Sequence, residues 1–205
     1  MSWNEIGQPL FLKPLHFPGE ILFSKFIPSI NKTISFRSFD LEKEVELIHF
    51  WVNEPYALPY WQLPGPKQRI FDLYYSIQRN SNAHSYIGLL DGSPICQFDV
   101  YRILADEVKQ YIMADFDDCG FHLLMAPNRM PIPGLSFHIC STFLEYYFSF
   151  PEATRMFAEP DIHNIRSNAL LKRLNFNFIE SIQLSYKIAN LYSLTKNQFI
   201  ASQVR

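Results

Sequence analysis

Three features of the sequence predict an α/β domain with a mixed sheet covered by helices on both faces. Stretches that alternate like strands exchange along the chain with stretches of helical period, the order expected when helices layer on a sheet. Asp91-Gly92 separates the β-rich runs HSYIGLL and PICQFDVYRIL, a strong short-range hairpin signal. After Asp40, LEKEVELIHFW places Leu41, Val45, Ile48 and Trp51 or Val52 on one helical face. Asp40 is its expected N-cap, with Glu42 and Glu44 at the positive end of the helix.

The remaining elements follow in order. Residues 1–32 are broken by proline, with LFLKPLHF and ILFSKFI reading as short strands around Pro18-Gly19. They form an N-terminal arm or hairpin, and residues 33–205 form one domain. TISFRSF (33–39) alternates as a half-buried strand before the Asp40 helix. A Pro-rich loop, PYALPYWQLPGP, ends at Pro66, the expected N1 residue of a helix with Ile70, Tyr74 and Ile77 on its face. Past the Asp91-Gly92 hairpin, GFHLLMA (120–126) is a third strand, and Gly134 precedes an aromatic-rich helix. MFAE (156–159) is the next strand. NIRSNALLKRL is a helix with Ile165, Ala169, Leu170 and Leu174 toward the core, stopped by Asn175 in the left-handed region. FNFIES and IQLSYKIANLY close the chain as two strands.

Composition narrows the function. The formal charge of −2 provides no basic field, so nucleic acid and anionic membrane are not expected partners. The 19 Phe and 11 Tyr among 205 residues point to an aromatic core, with some rings left for a ligand cleft. Cys96, Cys119 and Cys140 are odd in number and lack CxxC spacing, which argues against a disulfide framework and a thiolate zinc site. No set of residues has metal-ligand spacing. The first residues lack a basic and apolar leader pattern, and no segment is long enough to span a bilayer, so a cytoplasmic protein is expected.

Four segments in order carry a resemblance: HFWVNEPYALPYW (49–61), IGLLDGSPICQFDVYR (87–102), DCGFHLLMAP (118–127) and FAEPDIHNIRSNALLKRLNF (157–176). Together they resemble the siderophore-biosynthesis branch of the GNAT acyltransferase superfamily, the N-hydroxylysine acetyltransferases of aerobactin and mycobactin pathways. The resemblance implies a mostly antiparallel sheet with two parallel strands splaying at the cofactor site. It implies transfer of an acyl group from acetyl-CoA or another acyl-CoA to a hydroxylated amine, N6-hydroxylysine or a related diamine. The product is a hydroxamate, and no metal is needed.

The same resemblance assigns His122 and Asp161 to a catalytic pair. Loss of a proton from the attacking amine suits an imidazole or carboxylate within reach, and which of the two takes it stays open. Asp161 also suits an N-cap of the next helix, and His122 a core histidine. Leu124, Met125, Arg129, Gly134, Leu135, Ser136 and Asn164 are the expected cofactor contacts. The loop NRMPIPGLS departs from the family pattern, because Pro131 and Pro133 have no N–H for a pyrophosphate. Trp61, Gln97, Asp99 and Tyr101 are the expected substrate contacts, the last three sharing a strand face by alternation. His163 reads as surface, and His49 and Trp51 as structural. An aminoglycoside-type acetyltransferase and a non-catalytic interaction protein are the alternative readings, and a homodimer is an open arrangement.

Overall fold

The computed structural model describes residues 12–14, 17, 19–61, 63, 65–127 and 131–203. The strands are β1 (Ile21–Ile27), β2 (Lys32–Ser38), β3 (Ala83–Leu90), β4 (Ser93–Arg102), β5 (Cys119–Met125), β6 (Arg155–Ala158), β7 (Asn177–Gln183) and β8 (Ile188–Thr195). The helices are α1 (Leu41–Val52), α2 (Leu58–Trp61), α3 (Lys67–Arg79), α4 (Leu135–Ser149), α5 (Ile165–Arg173) and α6 (Lys196–Gln203). The strands form one sheet in the order β1-β2-β3-β4-β5-β6-β8-β7. Neighbours are antiparallel except β5 and β6.

Local signals account for many boundaries. Asp40 accepts from Glu42 N while Glu44 accepts from Asp40 N, a reciprocal cap at the start of α1. Asp91 and Gly92 both have positive φ, 47° and 82°, the backbone of a tight hairpin turn. Asn175 ends the α5 segment at φ 63°. Pro66 sits one position earlier than expected, as the residue before the first turn of α3.

Other expectations need correction. The core side of α5 is Asn168, Leu171 and Leu174, whereas Ile165 is 78% exposed and Ala169 is also exposed. A buried polar residue sets the helix phase. Asn168 Nδ2 donates to the carbonyls of Asp161 and Asn164, and its Oδ1 accepts from Asn190 and Tyr192. A reading by apolar period cannot count Asn168 as core. The last two strands turn at 184–187 instead of within FIESIQ, since Ile182 pairs with Ala189 and Gln183 with Ile188. Helices α2 and α6 are additional. Of the N-terminal arm, ILFSKFI is β1 and extends the single sheet through β2, while half of LFLKPLHF lies outside the described residues.

The sheet has two apolar layers. One holds Phe36, Tyr86, Phe98 and Phe121 against α4, where Phe98 and Phe143 stack at 4.0 Å and Phe36 meets Phe143 edge-on at 5.2 Å. The other holds Ile87, Leu89 and Leu124 against α1 and α3, with Trp61 at its margin. By strand alternation Gln97, Asp99, Tyr101 and His122 lie on this second face.

Candidate active site

Among the described residues, the only parallel pairing covers two rungs, Cys119 with Met156 and Gly120 with Phe157. Beyond them the chain after β6 follows β8. Pro160 O accepts from Asn190 N, Ile162 N donates to Ile188 O, and Asp161 bridges Ala189. β5 and β6 therefore splay. His122 and Glu159 each stand two residues past the last paired rung, and period-2 geometry puts them on one face. His122 Nε2 lies 2.7 Å from Glu159 Oε1.

Glu159 is the hub of the opening. It is 2% exposed, accepts from Tyr101 Oη at 2.6 Å and has Lys187 Nζ at 3.6 Å. Burial alone would raise its pKa, yet the charges and hydrogen bonds of His122, Lys187 and Tyr101 hold it at about 2. An ionised carboxylate only accepts, so the Nε2 of His122 carries a proton in either charge state, and in the neutral imidazole the lone pair is on Nδ1. Burial acts to lower the pKa of His122, but the Glu159 charge and hydrogen bond outweigh it and raise the value.

Tyr101 reaches Glu159 by crossing β5 above Gly120. A Cβ at Gly120 would collide with the Tyr101 ring and hydroxyl, so only glycine lets the hydroxyl pass from β4 to β6. The ring also lies 4.9 Å from His122. Asp99 pairs directly opposite His122 across β4 and β5. Its carboxylate accepts from Ser85, Gln97 and Tyr74, and burial, the largest influence, raises its pKa. Gln97 Oε1 is buried without a hydrogen-bond partner. Trp61 approaches His122 edge-on at 6.4 Å.

Thus Trp61, Asp99, Tyr101 and His122 gather at one opening, with Gln97 behind them. Asp161 does not pair with His122. Its Oδ1 accepts from His163 N at 2.7 Å, and the hydrogen-bonding carboxylate beside the imidazole is Glu159. Glu159 and Lys187 escaped sequence reasoning. Glu159 lies in the same AEPD stretch as Asp161, and the offset from the β5/β6 pairing selects it, which the linear sequence does not display. His163 is exposed. His49 Nε2 donates to Gly65 O at 2.8 Å, and Trp51 is buried in the α1–α3 layer.

The expected cofactor contacts spread along the splay and the start of α4. Leu124 is buried under α1 and α3, and the carbonyl of Met125 accepts from Tyr56 Oη. Leu135 N donates to Ile132 O, so that N–H is taken. Gly134 caps α4 in the left-handed region at φ 74°, and Ser136 is in the first turn. A Cβ at Gly134 would fill a space between the Arg173 guanidinium and the His138 ring, 3.8 Å from each. First-turn N–H groups, a bare Gly and a guanidinium suit an anionic group such as a pyrophosphate. Asn164 Oδ1 caps α5 by accepting from Ser167 N. Arg129 lies outside the described residues. No cluster of metal-ligating side chains occurs among the described residues.

Comparison with known proteins agrees with this architecture. An uncharacterized protein from Bacillus halodurans superposes with a TM-score of 0.83 at 25% identity, covering 87% of this chain and 92% of its own. An aminoglycoside acetyltransferase solved with coenzyme A has a TM-score of 0.75 at 19% identity, over 83% of this chain and 99% of its own, which is a likeness of fold. A Schizosaccharomyces pombe protein provisionally named a lysine N-acyltransferase is 28% identical over 90% of this chain. This chain spans only 56% of that protein's length. An N-hydroxyputrescine acetyltransferase of Acinetobacter baumannii is 26% identical over 80% of this chain and 78% of its own. An N(6)-hydroxylysine O-acetyltransferase of Escherichia coli is 21% identical over 91% of this chain and 59% of its own. The family model described as an acetyltransferase (GNAT) domain matches residues 40–184, from the cap of α1 to the end of β7. With that match and this splayed sheet, the chain belongs to the GNAT acetyltransferase domain family.

Proposed function

We propose that this protein transfers an acyl group from an acyl-CoA to the hydroxylated nitrogen of N6-hydroxylysine or a related hydroxy-diamine, forming a hydroxamate for siderophore assembly. The observation that carries the reading is the His122–Glu159 pair at the mouth of the β5/β6 splay, with Asp99 opposite it. Relatives named for hydroxyputrescine and hydroxylysine acetylation support the acceptor class.

The roles follow from the chemistry. Coenzyme A supplies the thioester, whose C–S bond breaks as the N–C bond to the acceptor forms. A hydroxylamine is largely neutral near pH 7, so its nitrogen can attack before losing a proton. His122 Nδ1 takes that proton, and Glu159 holds the Nε2–H tautomer and stabilises the imidazolium. Tyr101 and Lys187 keep Glu159 ionised and fixed. Asp161, two residues after Glu159, is assigned to orient the N–OH, and Asp99 with Gln97 provides acceptor groups for a substrate ammonium.

The test is release of coenzyme A thiol from acetyl-CoA and succinyl-CoA. N6-hydroxylysine and N-hydroxyputrescine are compared with lysine and putrescine, in wild type and in His122→Ala and Asp161→Ala. Preference for the hydroxylated amines, with a hundredfold or greater loss of kcat in His122→Ala, is the expected result. Equal use of the parent amines would sink the hydroxamate assignment, and full activity of His122→Ala would sink its role as base.

A further inference from the structure

Arg173 closes α5, and its guanidinium lies 4.2 Å from the centroid of the Phe137 ring. Phe137 belongs to the first turn of α4, so this contact brings a permanent cation to the start of that helix. The absence of a side chain at Gly134 leaves the space beside the guanidinium open. Among the described residues, no carboxylate forms an ion pair with Arg173. A cation held by a ring and left without a counter-charge is available to an anion.

This placement answers a deficiency in the neighbouring loop. Pro131 and Pro133 have no N–H to donate, and the Leu135 N–H is committed to Ile132. The helix terminus offers a partial charge of about half a unit, whereas a guanidinium offers a full one with donors matched to phosphate oxygens. The other titratable group facing the space is His138. It has its pKa lowered, first by burial and then by the charge of Arg173, so it adds no second cation at neutral pH.

Resting on the acyl-CoA reading above, we propose that Arg173 binds the pyrophosphate of coenzyme A, beside Gly134 and the first turn of α4, in place of donors removed by the two prolines. Nothing in the sequence marks it, because the contact joins the end of one helix to the start of another 39 positions earlier in the chain (173 − 134).

The test is calorimetric binding of coenzyme A and of 3′-dephospho-coenzyme A, which keeps the pyrophosphate, to wild type, Arg173→Met and Arg173→Lys. Arg173 is exposed, so the variants keep the fold, checked by an unchanged melting temperature. Arg173→Met is expected to weaken both ligands about tenfold or more, and Arg173→Lys to recover part of the loss. Binding by Arg173→Met within twofold of wild type overturns the assignment. Loss confined to coenzyme A overturns it too, by moving the contact to the 3′-phosphate. If wild type binds neither ligand, the acyl-CoA reading itself falls and takes this assignment with it.

Discussion

Replacement of Asp118 by Asn tests how the closed end of the splay is held. Asp118 stands just before β5 and Arg155 opens β6, one rung ahead of the first parallel pair, Cys119 with Met156. The Asp118 side chain is 0% exposed and receives Arg155 Nε at 2.8 Å, Arg155 Nη2, and the backbone N–H of Asp115 at 2.7 Å. Three donors therefore converge on one buried carboxylate. Breaking such a pair from one side costs about 3–5 kcal/mol, because the partner charge is left uncompensated. Arg155 is 29% exposed, also donates to Met113 O and keeps the exposed Asp115 carboxylate at 3.5 Å, so it can relax toward water and a second charge. That places the expected loss near the low end, about 3 kcal/mol.

For a chain of this size, such a loss lowers Tm by roughly 6–12 °C. The assay is urea unfolding at pH 7 with calorimetry on wild type, Asp118→Asn, Arg155→Met and the double variant. The double variant is expected to lose clearly less than the sum of the single losses, since each single change strands the other group. A loss under about 1 kcal/mol in Asp118→Asn, or strict additivity, would refute the claim that this pair clamps β5 to β6.

Four further outcomes follow. Glu159→Gln removes the charge that most raises the His122 pKa and leaves burial and the Lys187 charge, which lower it, against the smaller opposing effect of Asp99, so the imidazole should titrate below its ordinary value in an NMR pH series; an unchanged titration would contradict the pairing. Because the Glu159 pKa is depressed to about 2 from 4.5, its stabilising contribution is present above about 4.5 and lost as pH falls toward 2. The stability difference between wild type and Glu159→Gln should therefore shrink across that window, and a constant difference would exclude ionisation as its source. Gly120→Ala forces the Tyr101 ring off Glu159 and should cost about 1–3 kcal/mol. The penalty should largely vanish in a Tyr101→Ala background, and an equal penalty there would mean the glycine serves backbone geometry alone. Phe143→Ala removes the ring stacked on Phe98 and edge-on to Phe36 and Tyr86, for an expected loss of about 3–5 kcal/mol by denaturant titration.

Features that depend on neighbours within a few residues are legible in the sequence. The Asp40 cap, the Asp91-Gly92 turn, the left-handed Asn175 and the alternation of Gln97, Asp99 and Tyr101 all follow from local backbone preference and strand period, and the element order follows from them. The four motifs around these elements also carried the family. How those elements meet depends on packing between segments far apart in the chain. His122 and Glu159 are 37 residues apart, and they meet only because two parallel rungs set the register before β6 turns to follow β8. Asn168 overrode the apolar phase of α5 because buried hydrogen bonds to Asp161, Asn164, Asn190 and Tyr192 outweigh the exposure of Ile165. Lys187 reached the site because the β7–β8 turn falls at 184–187. Periodicity reports which face a residue occupies along its own element, and pairing across the sheet is set by packing between segments distant in the chain.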